Sequence, residues 1–340
     1  MEPNVAEIKV KGKAVKVPAA CVEGATVVVT GRWLRTAAVQ DEEWLEGKRV
    51  GDPEAFVRAF RQQNLGADLF TFVEKLPETK PRHPYPWVWD NAAAIPITTF
   101  DEWWEKHLPQ VTRKNIRRAA KRGVFAKIVE FSDDLVRGII EIHNDTPTRQ
   151  GEPFAHYGKD FDLVKSEYGT FLETSEWIGA YVEEELIGII KLIKMGKVAG
   201  IMQIITKTKH YDKRPTNVLI AKAVEVCQQQ GIEFLVYGKF VYGNKTKSSL
   251  TEFKRRCGFQ RIDFPRYYIP LSLKGRIAMK LKLHLGLLGI LPPGLISLLY
   301  EMRARYYRWV LIPLTTRQKP GAASAMPNGS AGVESEAGES

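Results

Sequence analysis

A chain of 340 residues with 44% hydrophobic residues can bury a sizeable core, as one large domain or two modest ones. Its net charge of +11 and pI near 9.4 point to anionic partners (phosphorylated cofactors, nucleic acid or an anionic membrane surface) or to an ordinary basic soluble protein. Cys21, Cys227 and Cys257 have no paired spacing, which argues against a disulfide framework or a cysteine-rich metal centre and suits a reducing cytoplasm.

The stretch Met1 to Ala20 lacks a continuous apolar run and does not read as a signal peptide. Residues Ile8 to Thr30 alternate as strands, with a hairpin near Gly12 and a more buried strand at ATVVVTG. DEEWLEG reads as helical. DPEAFVRAFRQQN does too, capped by Asp52 with Pro53 at the first helical position. LFTFVEKL resembles a strand, and the proline- and aromatic-rich KPRHPYPWVWDN reads as a surface connector, placing a boundary near residues 80–98.

Thr98 to Trp104 starts a helix, and VTRKNIRRAAKRGV forms the next. This second helix carries Arg113, Lys114, Arg117, Arg118, Lys121 and Arg122 with no acid among them. Such a run is either a solvated basic face or a surface that contacts phosphate. LVRGIIEIHN is a helix, and the polar loop DTPTRQGEPFAHYGKD after it makes His156 a candidate base. WIGAYVEEELIGIIKLIKMGKVAGIMQIIT reads as consecutive antiparallel strands that turn at VEEE and KMGK.

Lys209 to Phe240 then gives a basic loop and a helix with Leu219, Ala223, Val226 and Cys227 on its apolar face. Gly231 ends that helix, and a strand at Phe234 to Tyr237 follows. A loop, a helix whose N-terminus faces it and a buried strand make a common device for holding an anion. The loop VYGNKTKSS, the short helix LTEFKRRCGF and the strand FPRYYIPL complete an α+β, or mixed α/β, pattern around a central sheet.

Over roughly residues 100–270 this order resembles the GNAT acyltransferase superfamily. The basic helix TRKNIRRAAKRGV before the first strand of that domain is similar to its FemAB-like, Fem-type branch, which uses aminoacyl-tRNA to build peptidoglycan bridges. The resemblance implies a GNAT-like fold with a central, mostly antiparallel sheet flanked by helices. It also implies transfer of an acyl group from acyl-CoA (acetyl-CoA) or aminoacyl-tRNA to an amine, without a metal. In the family a splayed pair of central strands exposes backbone N–H groups to the donor; here these are Ala199 to Ile205 and Phe234 to Lys239.

The donor loop YDKRPTNVLIA has Pro215 and Asn217 where the family places glycines. Phosphate binding is left to Lys213, Arg214, Thr216 and Asn217 at the helix start, with Asn244 beyond the strand. Many GNAT enzymes carry a tyrosine, the general acid for the leaving thiolate, where this chain has Lys254, four residues before Gly258. Tyr237 and Tyr242 are the nearest substitutes.

Leu281 to Leu299 is strongly apolar but broken by Pro292 and Pro293, with basic flanks and Tyr306, Tyr307 and Trp309 beyond. This reads either as a membrane-surface hairpin engaging anionic lipid through residues 274–309 or as helices packed on the protein's own domain or a second subunit. From Thr315 the composition is that of a disordered tail.

The expected organisation is an N-terminal α/β segment (1–97), a GNAT-like domain (98–272), an amphipathic helical hairpin (273–314) and the tail (315–340). The expected protein is a cytoplasmic N-acyltransferase, peripheral to the inner face of the membrane, acting on an amino sugar or amino acid of a cell-surface precursor. A Fem-type tRNA-dependent transferase and a non-catalytic module binding RNA or anionic lipid are the alternatives. No Walker loop, HExxH or paired cysteine motif supports a kinase or metalloenzyme.

Overall fold

The computed structural model describes residues 4–285 apart from 11–12, 43–44, 46, 64, 150 and 243–247. Its main sheet has twelve strands and is laid down in two passes of the chain. In the first pass β1 (Asn4–Val10), β2 (Lys13–Val22), β3 (Ala25–Thr30) and β4 (Thr36–Val39) form an antiparallel meander. Helix α1 (Pro53–Gln63) crosses over, and β5 (Leu69–Val73) returns parallel to β4. Strand β6 (Trp87–Pro96) and helices α2 (Phe100–Glu102) and α3 (Gln110–Lys121) lead to the second pass.

That pass contains β7 (Val124–Val129), α4 (Asp133–His143), a separate small hairpin of β8 (Thr148–Arg149) and β9 (Glu152–Pro153), and α5 (Phe161–Tyr168). The meander β10 (Ser175–Val182), β11 (Glu185–Met195) and β12 (Val198–Thr206) follows. Helix α6 (Pro215–Gln229) then crosses to β13 (Phe234–Val236), parallel to β12, before α7 (Ser249–Arg256), β14 (Gln260–Pro270) and α8 (Leu273–Lys280).

Each pass thus runs as an edge strand, a meander, a crossover helix and a parallel strand. The closing strands are exchanged. Strand β6 follows β5 in sequence but pairs with β13, whereas β14 follows β13 but pairs with β5. Strands β14 and β6 pair antiparallel between them, giving the order β5-β14-β6-β13 at the middle of the sheet.

Local sequence explains the elements. Asp52 Oδ1 accepts the Glu54 N–H at 3.0 Å, and Phe56, Val57 and Phe60 of α1 bury against Phe70 and Phe72 of β5. Strand β11 is apolar on both sides because it is covered on both. Ile190 and Leu192 join the core under α6, and Ile189 joins Leu135, Ile139 and Val164 of α4 and α5. DEEWLEG departs from expectation: Asp41, Glu42 and Leu45 lie in turns, and Asp41 is left-handed with φ 58°. KPRHPYPWVWDN departs as well, since the strand begins directly after the last proline and Trp87 to Asn91 pair with Tyr267 to Asp263. From Trp87 to Ile95 every residue again has an N–H for the ladder.

A buried ionic cluster ties the passes together. Arg266 of β14 donates through Nε to Asp90 at 3.0 Å and through Nη1 to Glu42, and Lys239 lies 3.5 Å from Asp90. Burial raises the Asp90 carboxyl, but Arg266 and Lys239 outweigh it and hold the group below its ordinary value. Replacing Arg266→Leu leaves two buried carboxylates without their main counter-charge. A loss of about 3–5 kcal/mol is expected on urea unfolding.

No helix among the described residues is long and apolar enough to cross a membrane. Of the expected hairpin at 273–314, residues 286–314 lie outside the described residues, as does the tail at 315–340.

Candidate active site

The parallel ladder of β12 and β13 is short: Val198, Ala199 and Gly200 face Phe234, Leu235 and Val236, and the strands then part. Past this point the chain after β13 turns to β6, with Tyr237 N donating to Ala93 O and Ala93 N to Gly238 O, both at 2.8 Å. Strand β12 carries an irregularity at the same level. Ile201 faces Leu192 and Gln203 faces Lys191, which leaves Met202 as the extra, bulged residue. A bulge leaves its extra residue out of the ladder.

Beside the opening sits Lys254 of α7, 1% exposed. Its helix is capped by Ser248, whose Oγ accepts the Thr251 N–H at 3.0 Å, and Thr251, Lys254 and Cys257 fall on the buried face. Lys254 Nζ donates to Lys239 O at 2.6 Å and lies 4.8 Å and 5.0 Å from the ring centroids of Tyr237 and Tyr242. Burial pushes its pKa down to about 7. An ammonium that titrates near neutrality, between two aromatic faces, is suited to proton transfer. Tyr237 is buried against Phe253 and Phe259, while Tyr242 is part-exposed. The structure thus brings both candidate tyrosines together around the lysine that stands at the position of the resembled enzymes' tyrosine.

The second feature is a basic recess between α3 and the turn into α6, lined by Asn115, Arg118, Ala119, Arg122, Asp212, Lys213 and Arg214. Arg214 is left-handed (φ 56°) and forms the N-cap of α6 without a side-chain cap bond; Pro215 is the first helical residue. The first turn therefore presents N–H groups and carries no acid, an arrangement suited to phosphate. Arg122 pairs with Asp212 at 3.2 Å, and Arg113 pairs with Glu105. Lys114, Arg118 and Lys121 are exposed and have no ion-pair partner among the described residues. Lys213 Nζ lies 2.8 Å from His210 Nδ1, and Asn217 Nδ2 approaches Cys257 Sγ at 3.9 Å, linking α6 to the end of α7. Thr216 follows Pro215 in the same turn.

His156 stands in a different cluster, on the loop between α4 and α5. Its Nδ1 is 3.1 Å from Lys159 Nζ, which also binds Glu167, and its ring lies 5.0 Å from that of His143. Burial, then Lys159, lowers the His156 pKa; burial, then His156, takes His143 down to about 3. Asn244 lies outside the described residues.

A meander, a crossover helix and a parallel strand that parts from its neighbour give the element order of a GNAT-like fold, here laid down in two passes with exchanged closing strands. The crystal structure of FemX superimposes with a TM-score of 0.51 at 10% identity, covering 82% of this chain and 90% of that one. The C-terminal domain of a protein named as a lysylphosphatidylglycerol synthetase from Agrobacterium fabrum gives 0.48 at 12% identity, covering 78% and 88%. L-PGS from Bacillus licheniformis gives 0.46 at 12%, covering 79% and 88%. No protein-family model and no curated protein sequence matches the chain. At these identities the likeness is one of fold.

Proposed function

We propose that the protein is an N-acyltransferase that moves an acyl group from a coenzyme A thioester to a primary amine. The observation that carries this reading is Lys254, desolvated to a pKa of about 7 beside the parted strands. The recess of Arg118, Arg122, Lys213 and Arg214 takes the donor phosphates against the first turn of α6, with Thr216 and Asn217 in support. The thioester enters between β12 and β13 with its carbonyl oxygen toward the Met202 N–H.

The amine nitrogen attacks the carbonyl carbon and the C–N bond forms. The C–S bond breaks as the Lys254 ammonium gives a proton to the departing thiolate. The proton shed by the amine restores Lys254 for the next turnover. Tyr237 and Tyr242 hold the ammonium by their ring faces and exclude water. Incubating the protein with acyl-CoA donors and an amine-containing extract, and following free thiol and N-acylated product by mass spectrometry, tests the reading. Transfer that needs Lys254 supports it.

A second reading keeps the same site with aminoacyl-tRNA as donor. Lys114 and Lys121 favour it, because they carry exposed positive charge along α3 beyond the recess itself. Acyl-CoA turnover without tRNA decides between the two.

The acceptor is proposed to be an amine of a lipid-borne cell-surface precursor. Leu273, Ile277 and Leu281, at helical spacing along α8, are 68%, 48% and 60% exposed, and basic Lys274, Arg276, Lys280 and Lys282 lie among them. Replacing all three apolar residues by Glu is expected to lower co-sedimentation with anionic vesicles at least about tenfold and to leave the melting temperature within a few degrees.

A further inference from the structure

We propose that the pocket on the face of the sheet opposite α6 holds the apolar acyl chain of the donor, so that the enzyme prefers medium-length acyl groups to acetyl. The proposal rests on the acyl-CoA reading above. The pocket opens where β12 and β13 part, between Gly200 and Met202 on one side and Val236 and Gly238 on the other. A single stretch of backbone, Gly238–Lys239, divides it from the Lys254 site. The Lys239 carbonyl accepts from Lys254 Nζ, and a Cβ on Gly238 would stand 3.9 Å from that nitrogen. An acyl carbonyl held between the strands therefore has its chain directed into this space.

The walls suit such an occupant. Leu45, Leu76, Val198, Met202, Val236 and Phe264 line it, and turns of the first pass roof it. Most of the polar groups around it are engaged with one another, the exception being Glu74 Oε1, which is buried without a hydrogen bond. Arg266 binds Glu42 and Asp90, Lys239 lies beside Asp90, and Lys75 Nζ donates to Gly47 O at 2.6 Å. Asn91 exchanges two hydrogen bonds with the Val241 backbone, and Glu74 faces His83 at 3.5 Å. A ligand entering here meets aliphatic surface, which rewards methylene groups at about fourfold in affinity for each one buried. Gly200 keeps the space open: a Cβ there would already touch Leu45 at 3.4 Å, and a longer side chain would fill the pocket.

Calorimetric titration of the whole protein with coenzyme A, acetyl-CoA, hexanoyl-CoA, decanoyl-CoA and free decanoate tests this. Hexanoyl-CoA is expected to bind on the order of 100-fold tighter than acetyl-CoA. Gly200→Leu should erase that gain and leave coenzyme A and acetyl-CoA unchanged, with Val198→Phe as the second filling variant. Equal affinity for all chain lengths, or a gain that survives both variants, overturns the proposal. If decanoate binds in a Gly200→Leu-sensitive way while no coenzyme A species binds, the pocket assignment stands and the donor reading fails. If nothing binds, both fail.

Discussion

Lys254→Met is expected to abolish transfer, lowering kcat by roughly 100-fold to 10,000-fold, the range typical of a positioned proton donor. The same substitution should stabilise the protein. Burial holds the Lys254 pKa at about 7 in the folded state, below its unfolded value of about 10.4. Between these values the unfolded chain binds the proton that the folded chain has shed, so stability rises with pH. The penalty is fully present below about 7 and gone above about 10.4. Methionine carries no such penalty, and a gain of about 1–3 kcal/mol at pH 7 is expected on urea unfolding, shrinking toward pH 10. As a general acid Lys254 acts in its protonated form, so kcat should fall as pH rises through about 7. Lys254→Arg keeps the cation but not the accessible pKa, and that falling limb should move beyond the measurable range.

Arg118→Glu combined with Arg122→Glu is expected to weaken donor binding by about 100-fold, a loss of about 2.7 kcal/mol, and to flatten or invert its salt dependence. Both side chains are exposed on α3 and line the recess, so the melting temperature should hardly move. The effect should fall on KM with little change in kcat, since phosphates remote from the reacting carbonyl are bound alike in ground and transition states. A comparable loss of kcat, or no effect on either constant, would place the donor phosphates elsewhere.

Much of the second pass was legible in the sequence, because its signals are local. Pro215 at a helix start, Gly231 after its end and turns at Glu183 and Gly196 are written in single residues. Apolar runs mark β11 and β12. What was not legible depends on pairing across the chain. The pairing of β6 with β14 joins residues more than 160 positions apart, such as Ala94 with Gln260. The prolines before Trp87 hid a central strand, and the repeat between passes is carried by strand order rather than by shared residues.

The residues of the candidate site were half visible. Lys213 and Arg214 were candidates from the anion-holding device and Arg118 and Arg122 from the run of cations, and the structure lines one recess with all four. In the sequence Lys254 stands out only as the residue at the position where the resembled enzymes carry a tyrosine. The signal that could have found it was periodicity: Thr251, Lys254 and Cys257 recur every third residue on one helix face, and all are buried. A lysine on a face with Cys257 and a capped first turn is not a solvated cation. The first pass has no counterpart, since residues 74–86 between β5 and β6 contain no helix.

The most direct measurement is product formation by mass spectrometry with purified protein, an acyl-CoA series and an amine-containing extract, for wild type and Lys254→Met side by side. The reading predicts an N-acylated product with stoichiometric release of coenzyme A by the wild type, and none above background by a Lys254→Met protein that is folded and still binds donor. Equal turnover by both proteins, or no transfer by wild type from any acyl-CoA or aminoacyl-tRNA, would contradict it.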